Sequence, residues 1–190
     1  YYGVMLSIVI IICLFLSILY IWKQDQPANK DHYKDFASLK ADTNAHKDWE
    51  INTKTTNNKD ILITAIHGGG IEPGTSELAK IISKKGDYNL YSFEGLLPSN
   101  NKKLHITSTN FDDPKLTEMV YKSNEAISIH GIEEDKKAVY IGGKDKKMAK
   151  SITKYLEKEG FNVEKSPHYV NGNSEHNIIN KNDSGSGVQI

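Results

Sequence analysis

Arginine is absent from this 190-residue chain, so all 24 of its basic side chains are lysines. No residue can therefore offer a carboxylate the two-pronged contact of a guanidinium group. An excess of charge of one sign is missing as well, because 24 acidic residues balance the lysines. That balance gives no argument for nucleic acid as a partner. There is one cysteine, Cys13, which excludes a disulfide framework and any thiolate-ligated metal site. Three isoleucines precede it, a poor fit to a lipoprotein cleavage box, so it reads as apolar filler. No internal repeat is visible.

What is present begins with a long apolar run. Val4 to Trp22 carries no formal charge, is broken only by Ser7 and Ser17, and is closed by Lys23. As a helix it spans a hydrocarbon core of about 30 Å. It is long for a signal-peptide core, and no small-x-small cleavage site follows. Residues 1–22 are therefore expected to form one N-terminal transmembrane helix in the cell membrane, with a cleaved signal and secretion as the alternative. The chain opens on Tyr1, without the basic residues that would fix its orientation. Residues 23–31 are polar, contain Pro27 and read as a tether, leaving 32–190 as one globular domain.

That domain is organised around Lys59 to Ile82. Ile61 to Ile66 is apolar and rich in β-branched residues, and three glycines interrupt it, so it reads as a buried strand. His67 stands at its end, and Gly68, Gly69 and Gly70 are expected to turn the backbone through positive φ angles. Glu72 follows in the loop. A helix comes next, with Leu78, Ile81 and Ile82 expected on its buried face and Gly86 as its stop. A second strand, Ala126 to Ile129, also ends in His-Gly, at His130-Gly131. Strand carboxyl ends in an open α/β sheet share one crevice. His67, Glu72 and His130 are thus a His/Glu/His set of the kind that suits zinc, with a fourth position left for water.

Other strands are expected at Trp49–Thr55, Asn89–Phe93, Ala138–Ile141, Phe161–Val163 and from Val188, with Leu104 to Ser108 short and β-branched. Helices are expected at Tyr33–Lys40, after the Asp113-Pro114 start, and at Lys144–Glu159, where Met148, Ile152, Tyr155 and Leu156 make the buried face. Asn171 to Ser186 reads as a polar loop. The alternation gives a three-layer α/β domain, a largely parallel mixed sheet with helices on both faces.

Rival chemistries are weaker. His67 with three glycines resembles the oxyanion loop of lipase-like hydrolases, but the chain has no Gly-x-Ser-x-Gly elbow. Gly69 to Thr75 has the glycine spacing of a phosphate loop but not its lysine. His32, His46, His168 and His176 sit in polar surroundings and read as surface residues. For His67 alone a structural role weighs equally. The second strand-His-Gly unit and Glu72 shift the balance to a site.

The segments IHGGGIEPGTSELA, FEGLLPSNNKKLHITSTNFDDP and SIHG, followed downstream by YIGG, resemble the poly-γ-glutamate hydrolases of phage and Bacillus-type bacteria. These are zinc peptidases with a carboxypeptidase-like α/β fold, and the likeness runs from about Tyr33 onward. It implies that His67, Glu72 and His130 hold Zn²⁺, and that His105 and Thr107 lie at the substrate side of the cleft. Lys181, also expected to bind substrate, stands where the family usually carries an arginine. The resemblance also puts a catalytic glutamate just after a Gly-Val-Gln-hydrophobic strand, here Gly187 to Ile190, so the base is expected beyond Ile190 and the chain is expected to be cut short there. The implied protein is a membrane-anchored, outward-facing, monomeric zinc hydrolase cleaving γ-glutamyl links in a polymer or peptide. Alternatives are a zinc amidase acting on cell-wall peptides and an inactive polymer-binding domain.

Overall fold

The computed structural model describes residues 31–190. The transmembrane reading of residues 1–22 and the tether before Asp31 lie outside the described residues. Among the described residues no helix is long and apolar enough to cross a membrane.

The chain enters through helix α1, Phe36–Asp42, whose first turn is closed by a reciprocal Asp35–Ser38 capping box. Strand β1 (Trp49–Lys54), the long strand β2 (Asn58–Gly69), helix α2 (Thr75–Gly86) and strand β3 (Tyr88–Gly95) follow. A 3₁₀ turn at Asn101–Leu104 leads to helix α3, Pro114–Tyr121, capped by Asp113 accepting from Leu116 N–H at 2.9 Å. Strand β4 is Glu125–Ser128, β5 is Val139–Gly143, helix α4 is Lys146–Lys158, β6 is Val163–Lys165 and β7 is Val188–Gln189.

The seven strands lie in the order β1-β3-β2-β4-β7-β5-β6. β1 is antiparallel to β3, and β5 is antiparallel to β7. The β3-β2-β4-β7 centre is parallel, as is β5-β6. β2 is central because both of its faces are apolar: Leu62 and Ile66 join one core, Ile63 and Ala65 the other. The first core packs α1 and α3 on the sheet through Phe36, Leu39, Leu116 and Val120. The second packs α2 on the opposite face through Ala79 and Ile82. The three-layer mixed architecture expected from the sequence is present.

Three local expectations are corrected. Leu78 and Ile81 are 46% and 52% exposed, while α2 buries Thr75, Ser76, Ala79 and Ser83. Small residues face the sheet because the glycine-rich end of β2 brings the helix close: a Cβ on Gly68 would lie 2.8 Å from Ser76 Cβ. Helix α4 likewise buries none of its residues completely, and Tyr155 is 63% exposed. Within Asn171 to Ser186, Ile178–Lys181 forms a 3₁₀ turn whose Ile178 and Ile179 enter the first core. Two isoleucines in a polar stretch are enough to fold it inward.

Candidate metal centre

β2 leaves the sheet centre with β3 on one side and β4 on the other, so its carboxyl end is a switch point in the topology. Register pairs Ile63 with Ile127 and Thr64 with Ser128, which carries His67 and His130 to the same edge. An irregularity between Ala65 and Gly68 re-aims the end of β2. The strand continues through His67 to Gly69, and of the three glycines expected to have positive φ only Gly69 does, at 61°. Gly70 is required for room instead: a Cβ there would lie 2.3 Å from the Asn101 amide. The tight turn returns Glu72, whose N–H donates to His67 O at 2.8 Å.

Three ligand-type side chains meet as a result. His67 Nδ1 lies 3.0 Å from Glu72 Oε1 and 3.2 Å from His130 Nδ1, and His130 Nδ1 lies 3.4 Å from Glu72 Oε2. Ligands about 2.1 Å from a tetrahedral zinc stand roughly 3.4 Å apart, so the spacing fits that ion. Each outer ring nitrogen is held: His67 Nε2 donates to Ile106 O at 2.9 Å, and His130 Nε2 is 2.9 Å from Ser128 Oγ. A carbonyl only accepts, so the neutral His67 ring keeps its lone pair at Nδ1, facing the others. Gly131 N–H donates to Glu72 Oε2 at 2.9 Å. Burial favours the neutral carboxyl of Glu72, but when a proton rather than a cation sits between these groups, a charged His67 and hydrogen bonds from His130 and His67 outweigh burial and hold the carboxyl well below its ordinary range. Two imidazole nitrogens and a carboxylate with their acceptor sides turned together suit a small divalent cation.

His105 also reaches this group, because one of its ring nitrogens lies within 4.8 Å of ligand atoms of His67 and Glu72. Its ring, however, is stacked on His67, with centroids 4.0 Å apart and planes at 28°. Stacked imidazoles send their in-plane lone pairs side by side, whereas His130 meets His67 at 68° and the two can converge. The tighter triangle, with His130, is the better cation cage.

His67, Glu72, His105, Thr107 and His130 all line one cleft of about 1720 Å³. Its lining also includes polar Asn171, Asn177 and Gln189 and apolar Ile82, Ile152 and Leu156. Lys181 does not line it; the half-buried lysine ends the 3₁₀ turn that packs against α3 and β4. Asn177, at the start of that turn, lines the cleft and donates to Gln189 Oε1 at 3.0 Å. Sequence reasoning missed Asp31, Ile106 and Ser128. Only Ser128 left a signal, since residues two apart on a strand share a face with His130.

The poly-gamma-glutamate hydrolase family profile matches residues 33–190. The SPbeta prophage-derived protein YoqZ of Bacillus subtilis (strain 168) is 42% identical over 163 residues, which are 84% of this chain and 58% of YoqZ. YmaC of the same strain is 35% identical over 186 residues, covering 96% of this chain and 78% of its own. Among solved structures, a bacteriophage poly-gamma-glutamate hydrolase superposes with a TM-score of 0.81 at 33% identity, over 84% of this chain and 77% of that one. The zinc-free form of YndL gives 0.79 at 38%, over 84% and 78%. With its profile match, its close relatives and its strand-end His/Glu/His triangle, this chain belongs to the poly-gamma-glutamate hydrolase family.

Proposed function

We propose that the chain carries a zinc-dependent hydrolase domain that cleaves γ-glutamyl amide bonds, with poly-γ-glutamate as the polymer. The observation that carries this reading is the convergence of His67 Nδ1, the Glu72 carboxylate and His130 Nδ1 within 3.4 Å of one another. Family membership supports hydrolysis, and a relative described as zinc-free supports the metal.

Zinc held by these three residues would supply Lewis-acid polarisation of the scissile carbonyl and a water of lowered pKa. The chain's own groups do the rest. Ile106 O and Ser128 Oγ fix the two imidazole rings, and Gly131 N–H steadies the carboxylate. His105 and Thr107, on the cleft wall beside the triangle, contact the bound polymer. Lys181 offers one point charge from outside the cleft and cannot reproduce a bidentate guanidinium contact. As a metal ligand, Glu72 is not free to accept a proton. The family resemblance places the proton-accepting glutamate beyond Ile190, where it would take the proton from water and pass it to the leaving amine.

In this reading residues 4–22 anchor the domain to the cell membrane and residues 23–30 are the tether; Asp31, expected to close the tether, belongs to the folded domain through His105 and Thr107, and the domain faces outward as a monomer. The test is to incubate the protein, extended to include that glutamate, with poly-γ-glutamate and follow polymer length. Shortening that stops with a chelator and returns with Zn²⁺ is expected. Undiminished cleavage after complete metal removal would overturn the metal mechanism.

A further inference from the structure

Asp31 reaches the site from the amino-terminal edge of the domain. Its Oδ1 lies 2.7 Å from His105 Nδ1, and its Oδ2 accepts from Thr107 N–H at 2.7 Å. One carboxylate therefore grips both sides of Ile106, more than seventy residues away in sequence. The carbonyl between those two contacts is the one that receives His67 Nε2–H at 2.9 Å. His105, in turn, lies flat on the His67 ring. The Asp31 side chain is 12% exposed, so water competes little for either contact. Burial works against its charge, yet Thr107 and His105 keep the carboxyl below its ordinary range.

From this arrangement we infer that Asp31 is a positioning residue for the cleft: it fixes the His105 tautomer and, through the 105–107 segment, the orientation of His67. An ionised carboxylate only accepts, so His105 Nδ1 carries the proton and its Nε2 keeps a lone pair. Without Asp31 the imidazole reverts to the mixture of tautomers of a solvated ring, and the Ile106 carbonyl loses the bonds that flank it. Loss of a residue that orients a ligand in this way typically weakens metal binding by about 10- to 100-fold. This inference rests on the zinc hydrolase reading for its consequence, but the hydrogen-bond pattern itself does not.

The experiment separates the two. ¹⁵N-labelled protein is compared with Asp31→Ala and Asp31→Asn by long-range ¹H–¹⁵N correlation of the histidine rings, which reports the tautomer without metal or substrate. Zinc affinity is then measured by competition with a chromophoric chelator. In the parent, His105 should show a protonated Nδ1. Asp31→Ala should shift it towards a tautomer mixture and weaken zinc by about 10- to 100-fold at unchanged stoichiometry. Asp31→Asn can bond His105 or Thr107 but cannot accept from both, and should fall between. A parent-like tautomer and parent-like zinc affinity in a folded Asp31→Ala variant would overturn the inference. Absence of zinc binding by the parent, with the tautomer shift still seen, would instead overturn the zinc reading and leave the positioning role standing. Should Asp31→Ala unfold, the isosteric Asp31→Asn carries both measurements: a parent-like result there refutes the inference.

Discussion

His67 shows how closely a single residue's role depends on what surrounds it. Its ring is 2% exposed and touches a carbonyl on one side and a carboxylate and a second imidazole on the other. A core histidine with only the first contact would be inert, and the second set makes it a candidate ligand. Elemental analysis of single variants separates the roles: His67→Ala and His130→Ala should each lose bound zinc, because two ligands hold it far more weakly than three. His105→Ala should keep one zinc per chain, since His105 stacks on the triangle without belonging to it. The same variant should lower kcat/KM on the γ-linked polymer. Loss of zinc in His105→Ala would move His105 into the ligand set.

Among the elements, the junction of β1, β3 and α2 is tied by one buried carboxylate. Glu94, at the end of β3, accepts from Ser92 at 2.9 Å and from Asn52 of β1 at 3.0 Å, and pairs with Lys80 of α2 at 2.7 Å. Burial alone would raise its carboxyl, but Lys80, Ser92 and Asn52 hold it below the ordinary range. The folded state thus binds this proton less readily than the unfolded chain. Its contribution is complete above the unfolded carboxyl range and disappears as pH falls through the lower folded value. Glu94→Gln should cost about 1–3 kcal/mol at pH 7, nearer the low end because Lys80 stays half in water. Urea unfolding should find the gap to the parent closing between neutral and strongly acidic pH, and a constant gap would show that the charge of Glu94 is not what matters. Glu94 was not singled out from the sequence, whereas the strands and helices themselves were legible. β2 announced itself by its β-branched run and α3 by Asp113-Pro114. The packing face of α2 did not, because hydropathy points to Leu78 and Ile81 while close approach to glycines selects Ser76, Ala79 and Ser83. The site divides in the same way. Two His-Gly strand ends and a nearby Glu are local patterns. Asp31 and the Ile106 carbonyl are not, since one is distant in sequence and the other is backbone.

For the molecule as a whole, the chain spans 58% of the length of YoqZ and 63% of YndL, so what these longer proteins do as wholes comes to it only by proposal. Membrane attachment is one such proposal. Its measure is whether the chain stays with the membrane fraction through a carbonate wash, as an apolar run from Val4 to Trp22 requires. Release of the intact protein would count against the anchor.

The other whole-molecule question is where the proton goes. Among the described residues lining the cleft, Glu72 is the one carboxylate, and its two oxygens already face His67 and His130. Glu133 and Glu134 follow His130 in sequence but are engaged elsewhere, with Lys102 and with Tyr140 and Tyr169. β7, by contrast, runs parallel to β4, and Ile190 O accepts from His130 N–H at 2.7 Å. Ile190, the residue after β7, is therefore delivered to the edge where His67, Glu72 and His130 meet. A positioned base contributes about 10²- to 10⁴-fold to such a reaction. Residues 1–190 with zinc should accordingly cleave a γ-linked glutamyl polymer slower by about that factor than the same chain extended to include the glutamate that the family resemblance places after β7. Replacing that glutamate by glutamine in the extended chain should return the rate to that of 1–190 while zinc content stays the same. Equal rates for the short and extended chains would put the base inside these residues and make Glu133 and Glu134 the next to mutate.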